Sequence, residues 1–88
     1  MSAPETNVHE ILALSALAWT LGEPARAERL IALTGLDPGD LRARVGDADV
    51  LDAVLGFLEA HEPDLIACAA ALGIKPEALV SARMRINA

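Results

Sequence analysis

Apolar residues recur at helical spacing along this chain, and Gly or Pro interrupts them at short intervals. The stretch from Val8 to Leu21 is apolar nearly all round, and Gly22 follows it as a stop signal. Asn7 is well placed as the N-cap of this helix, with Glu10 completing a capping box. A helix that is apolar on all sides is normally buried on most of them. The pattern therefore predicts a central core helix, or one that also contacts a second protein.

Five more short helices are predicted from the punctuation that follows. Four of them begin with a proline in the first turn, where the missing N–H is tolerated: Pro24, Pro38, Pro63 and Pro76. The remaining helix begins after Asp47 or Asp49, either of which can act as its cap. Three predicted helix ends are glycines: Gly35, Gly46 and Gly73. Short helices joined by tight turns pack at steep angles, so the sequence predicts an all-α fold, a compact orthogonal bundle of five to six helices.

The length and composition fit one acidic domain. The chain has 88 residues, and we expect a flexible N-terminal tail at residues 1–6 and a single helical domain at residues 7–88. With 53% hydrophobic residues it is too apolar for intrinsic disorder, and its net charge is −6. The start lacks a positively charged leader, and the low-charge stretch from Ile11 to Gly22 is too short to span a bilayer. We therefore expect a soluble, cytoplasmic protein.

Two segments of the chain share a local frame. Residues 23–41 read EPARAERLIALTGLDPGDL, and residues 62–79 read EPDLIACAAALGIKPEAL. Each contains Glu-Pro, a helical run, a Gly, an aliphatic residue and a second Pro. In each, the Gly would form a left-handed helix cap and the second Pro would start the next helix. A true duplication and an accidental likeness between two helical segments both fit this frame.

The second of these segments lies within residues 65–86, which have the spacing of a DNA-binding helix-turn-helix unit. Lys75, Arg83 and Arg85 could contact phosphates. The early part of the second helix, which would read base edges, is PEALV and offers Glu77 beside apolar side chains. Acidic residues also predominate between residues 37 and 64 and would repel a phosphate backbone. A DNA-associated regulator is thus an alternative that the charges do not favour.

The candidate reactive residues form no recognisable catalytic or metal-binding pattern. Cys68, the single cysteine, lies in the apolar run LIACAAAL and is typical of a buried core thiol. His9 and His61 are far apart and belong to no zinc motif. The aspartates at positions 47, 49 and 52 do not fit the calcium-binding loop of an EF-hand, because its required Gly and Glu are missing. We expect no catalytic residue, no metal site, no cofactor and no enzymatic activity.

Three stretches together resemble a known family: ALSALAWTL, RLIALTGLDPGDLRAR and LDAVLGFLEAHEPDLIACAAALGIKPEALVSAR. They are similar to the small bacterial domain-of-unknown-function family 3572, from about Glu10 to Arg83. The segment LTGLDPGDLR is the most specific part. The resemblance implies a compact, stand-alone helical protein of about this length. It implies no activity and no site residues.

By elimination, the expected function is a protein–protein interaction or adaptor domain, because partner surfaces tend to be apolar patches with a polar rim. One candidate surface is a stripe on the first helix formed by Leu14, Leu17 and Leu21, which is distinct from a second stripe formed by Ile11, Ala18 and Trp19. One stripe could face the core while the other contacts a partner or a second copy, or the last three helices could cover both.

A second candidate surface is a group of arginines that flanks the Gly35 turn: Arg26, Arg29, Arg42 and Arg44. Such a group could bind an acidic surface of another protein. The expected partner is an unidentified protein or a second copy of the chain in a homodimer. Nucleic acid and membrane are not expected partners.

Overall fold

Helices account for nearly all of the structure, a computed structural model that describes residues 6–88, with side chains described from Val8 onward. Six helices occur in these residues: α1 (Thr6–Leu21), α2 (Pro24–Thr34), α3 (Pro38–Ala43), α4 (Ala48–Glu59), α5 (Glu62–Leu72) and α6 (Pro76–Asn87). The protein is 81% helical and has no strand in the described residues, which confirms the predicted all-α bundle. Of the predicted tail at residues 1–6, all but the helical Thr6 lies outside the described residues.

The predicted turn chemistry sets most of the helix ends. Pro occupies the first turn of α2, α3, α5 and α6, as expected. The two glycines that end α2 and α5, Gly35 and Gly73, have φ angles of 76° and 73°, which are left-handed cap conformations. Asp37 caps α3 by accepting a hydrogen bond of 2.8 Å from the Asp40 N–H.

Two local predictions differ from the structure, and a third is confirmed in position only. Asn7 lies inside α1, so the prediction that it caps this helix is wrong. The third helix ends at Ala43 rather than near Val45. Asp47 holds the N-cap position of α4 but makes no side-chain cap hydrogen bond, because its carboxylate binds Arg44 at 2.9 Å instead.

The core lies where α1, α4 and α6 pack against one another, with α2 and α5 covering the sides. Helix α4 contributes the largest buried surface, including Leu51, Leu55 and Leu58, and it meets Leu30 of α2 and Leu79 of α6. Helix α3 is the exception, since it packs less closely against the other helices than any of them does and is attached by one buried side chain, Leu41. This short helix therefore sits on the rim of the bundle rather than inside it.

Among residues 6–88 no single helix is long and apolar enough to cross a membrane. The α5–α6 pair together reaches the necessary length and composition, but the two helices are bent by 99° at their junction. Cys68, Ala69, Leu79 and Ala82 of this pair are buried within the bundle, a pattern that core helices of globular proteins also show.

Candidate functional site

Helix α1 presents an uncharged apolar face to solvent. The face consists of Ile11, Leu14, Ala18 and Leu21, which follow one another at helical spacing. Ile11 is 59% exposed, Leu14 36% and Leu21 42%, and Ala18 is also exposed. We refer to these four residues as the α1 face. Large aliphatic side chains seldom line up in solvent over three turns of a helix, so this face is a candidate binding surface.

The exposed side of α1 does not coincide with either of the two stripes described from the sequence. Leu14 and Leu21 are exposed as expected, but Leu17 is only 4% exposed and belongs to the core. Ile11 and Ala18, which belong to the other stripe, are exposed as well. The prediction that Leu17 contributes to an open contact surface is therefore wrong.

The reason for this rotation is the size of the residues that α1 turns inward. Its buried positions are Ala13, Ala16, Leu17 and Thr20. Small residues at this spacing allow α1 to approach α4 and α6 closely, and the Thr20 hydroxyl is satisfied by donating to the Ala16 carbonyl at 2.8 Å. The spacing of Ala13, Ala16 and Thr20 was the signal in the sequence that could have identified the buried side.

A groove of about 380 Å³ runs beside the α1 face, between α1, α2 and α3. Its lining is apolar apart from one arginine: Leu17, Leu21, Ala27, Ile31, Pro38, Leu41, Arg42 and Val45. Leu21 belongs both to the groove and to the α1 face, so the two form one continuous surface. Helix α3, attached by Leu41, forms one wall. Sequence reasoning missed this groove because no local pattern predicts how α3 sits against α1.

The four arginines proposed as a second surface contact different parts of the protein. Arg26 lies over the Trp19 ring at 3.7 Å and donates to the Trp19 carbonyl at 2.6 Å, so it caps the end of α1. Arg29 forms an ion pair of 2.9 Å with Asp64 and thereby ties α2 to α5. Arg26 and Arg29 are therefore bound to other residues of the same chain.

The other two arginines belong to the α3 region. Arg44 pairs with Asp47 at 2.9 Å, and this hydrogen bond raises the pKa of its guanidinium. Arg42 is exposed, lines the groove, and has no acidic partner among the described residues. Of the four predicted arginines, Arg42 is the one placed beside the apolar surface.

The side chains whose chemistry could support catalysis or metal binding have structural roles. Cys68 is fully buried, and this burial raises the pKa of its thiol to about 11, so it is a poor nucleophile. His61 Nδ1 lies 3.0 Å from Asp64 Oδ2, the same oxygen that Arg29 approaches. Within the described part of the chain no group of three His, Cys, Asp or Glu side chains is placed to hold a metal ion.

A second, smaller cavity of about 170 Å³ lies where the start of α1 meets the end of α6. His9, Glu10 and Arg85 line it together with apolar side chains. It brings together no nucleophile and base, because its histidine has no Ser or Cys beside it in the lining.

The α5–α6 unit has the steep angle of a helix-turn-helix but not its free cationic surface. The two helices meet at 99° around Gly73. Arg83 of the second helix is bound to Asp52 at 2.7 Å and to Glu59 at 3.0 Å, both on α4. The hydrogen bond from Arg83, with a second from Asn87, holds the pKa of Asp52 below its ordinary value. This arginine therefore fastens α6 to α4.

Comparison with protein families gives a match that extends over residues 6–88. Comparison with curated proteins and with solved structures finds no match. The matching family covers all six helices, the α1 face and the groove, and so includes every feature described above. The chain belongs to the family described as Protein of unknown function (DUF3572).

Proposed function

We propose that this protein is a protein–protein interaction domain, without catalytic activity of its own, that binds its partner through the α1 face. The observation that carries the proposal is the continuous uncharged surface formed by Ile11, Leu14, Ala18 and Leu21 beside the groove. The groove adds apolar walls, and Arg42 adds one charge at its edge. An apolar centre with a polar rim is the usual composition of a binding surface.

The size of this surface supports the proposal. An aliphatic side chain carries on the order of 100 Å² of apolar surface, so the α1 face, of which roughly half is exposed, offers about 200 Å², and the open side of the groove brings the total to about 300 Å². Patches of roughly 300–600 Å² are the largest found on typical monomers, and they are often functional. Burying about 300 Å² at roughly 25 cal/mol per Å² gives about 7–8 kcal/mol before the cost of association is subtracted.

DNA binding is a second candidate, favoured only by the 99° angle of the α5–α6 unit. Duplex DNA affinity comes chiefly from Lys and Arg, and here the net charge is −6 and Arg83 is held by two carboxylates. Fluorescence anisotropy with labelled duplex DNA at low salt tests this alternative. We expect no change in anisotropy, whereas a salt-dependent rise would support the DNA alternative.

Site-specific photocrosslinking tests the interaction function. A photoreactive phenylalanine analogue at position 14 lies on the α1 face, and the same analogue at Glu77 lies on an exposed part of α6 as a matched control. We expect discrete crosslinked products from position 14, in cells that produce the protein, and few from position 77. Equal crosslinking from the two positions would contradict the proposal. We further propose that the protein works in the cytoplasm, a reducing compartment in which the free, buried Cys68 would stay a thiol.

A further inference from the structure

We infer that the partner of the α1 face is a second copy of this chain, packed antiparallel to the first around a two-fold axis. This inference rests on the proposed function and identifies the partner. It depends on three observations: the spacing of the α1 face, the distribution of charge around it, and its area.

The spacing of the α1 face is symmetric. The intervals between Ile11, Leu14, Ala18 and Leu21 are three, four and three residues. A reversed copy therefore places Ile11 against Leu21 of the other chain and Leu14 against Ala18 of the other chain. Intervals of three and four residues form the apolar seam along which two helices pack side by side. The small Ala18 leaves room for the larger Leu14, as close packing requires.

The distribution of charge favours this face over the rest of the surface for self-association. Two copies with a net charge of −6 each repel one another, and contact between acidic regions would add to that repulsion. The α1 face contains no charged residue, so two copies can meet there without bringing like charges into contact. Self-association through this face therefore avoids the main electrostatic penalty.

One charge at the edge of the face is also complementary to the groove. Glu10 is exposed, lines the smaller cavity at the start of α1, and is seven residues from Leu17, so it lies on the same edge of α1 as the groove but at the other end of the helix. In the antiparallel arrangement, Glu10 of one copy approaches the Leu21 end of the groove in the other copy. Arg42 is the charged residue lining that groove. The two-fold axis creates this Glu10–Arg42 pairing twice.

The area predicts a weak but specific dimer. If each copy contributes about 300 Å² of apolar surface, the pair buries roughly 600 Å², to which a polar rim adds several hundred Å². Specific interfaces of about 1,200 Å² are at the low end of the size range. We therefore expect a dissociation constant in the micromolar range, measurable by sedimentation equilibrium over a concentration series.

The test compares wild type with Ala18→Glu and with the matched control Ala70→Glu. Both alanines are exposed on helices, and Glu is a good helix former, so both variants are expected to fold with wild-type circular dichroism. Ala18→Glu should weaken dimerisation at least tenfold, because it places two carboxylates in the seam. Ala70→Glu, on the exposed side of α5, should leave it unchanged. A wild-type chain that stays monomeric up to about 1 mM, or dimerisation lost in Ala70→Glu but kept in Ala18→Glu, overturns the inference.

The register has its own test. Mixing Ile11→Cys protein with Leu21→Cys protein under mild oxidation should give the mixed disulfide in excess over either homodimer, because the antiparallel seam joins these positions. A parallel seam would give the two homodimers instead. The native Cys68 does not interfere because it is fully buried. Charge exchange is a second check: Glu10→Lys and Arg42→Glu should each weaken dimerisation about fivefold, and the double variant should restore it.

The outcomes separate this inference from the function on which it rests. Crosslinking from position 14 to other proteins, combined with a monomeric wild type, overturns the second copy as partner and keeps the interaction function. No crosslinking and no dimer together contradict both.

Discussion

Truncating Leu17 and Leu14 separately tests how α1 is rotated in the bundle. The two residues are three positions apart on one helix, yet Leu17 is 4% exposed and Leu14 is 36% exposed. The same substitution, Leu→Ala, removes the same atoms and keeps a good helix former at both positions. The difference in free energy of unfolding between the two variants therefore reports burial alone. Leu33→Ala on α2, where the side chain is 73% exposed, provides a nearly neutral reference.

The expected magnitudes follow from the surroundings of each side chain. Fully buried Leu→Ala substitutions reduce the free energy of unfolding by about 2–5 kcal/mol. Leu17 also lines the groove, so neighbouring groups and water can enter the vacated space, and we expect the lower half of the range, about 2–3 kcal/mol. Leu14 leaves no closed cavity and should reduce stability by about 1 kcal/mol. Leu33→Ala should stay within about 0.5 kcal/mol of wild type.

Urea denaturation followed by far-ultraviolet circular dichroism measures these differences. The protein concentration is kept well below the expected dissociation constant, so that dimerisation does not add to the stability of wild type. For a domain of this size, 1 kcal/mol shifts the melting temperature by about 4–8 °C, so Leu17→Ala should melt roughly 10–20 °C lower. A Leu14→Ala variant that loses as much stability as Leu17→Ala would refute the assignment of the exposed and buried sides of α1.

Three further predictions concern the turns, the α4–α6 ion pairs and the thiol. Gly73→Ala should lower the free energy of unfolding by about 1 kcal/mol, because the φ angle of Gly73 is positive. At Gly46 the φ angle is not positive and an added Cβ would have no atom within 4 Å, so Gly46→Ala should be neutral or slightly stabilising in the same urea assay. Arg83→Ala should cost about 1 kcal/mol at neutral pH. Arg83 lowers the pKa of Asp52 in the folded state. The stability that this interaction contributes is therefore present above the ordinary Asp pKa of 3.8 and is lost as pH falls below that value. The Arg83→Ala variant should consequently lose less stability on acidification than wild type. Cys68 should not react with a thiol reagent at about pH 8 in the native protein and should react at once in denaturant, and rapid native labelling would contradict its burial.

The fold could be predicted well from the sequence because single Pro and Gly residues mark the helix ends. Pro in the first turn and Gly after the last turn restrict the backbone at single residues, independently of what packs nearby. The two glycines with positive φ, Gly35 and Gly73, occupy equivalent positions in the two similar segments, residues 23–41 and 62–79. Leu36 and Ile74, the residues after them, both pack against the core. The shared frame is therefore real as a local structure, whether or not it arose by duplication.

The packing of the helices that follow Gly35 and Gly73 could not be predicted from the shared frame. The helix after Gly73 has 12 residues and packs against α1, α4 and α5, whereas the helix after Gly35 has 6 residues and stays on the rim. On α6, Leu79 and Ala82 form an apolar side that packs against α1 and α4. On α3, Leu41 is the one buried residue, so little apolar surface holds this helix against its neighbours. The groove exists because of this difference, which depends on contacts distant in sequence.

The candidate site was only partly predictable, because α1 has no polar side to reveal its orientation. When a helix is apolar all round, its period does not indicate which side is buried, so the sequence could not decide between the two stripes of α1. The structure shows why: α1 turns Ala13 and Ala16 toward α4 and α6, and small residues let helices approach closely. Ile11, Leu14 and Leu21 are consequently left outside. A small domain that packs its central helix through alanines and exposes the large aliphatic residues of the same helix reduces its own hydrophobic stabilisation. That arrangement is understandable if the exposed residues are buried in a complex, and this is the physical basis for the proposed binding function.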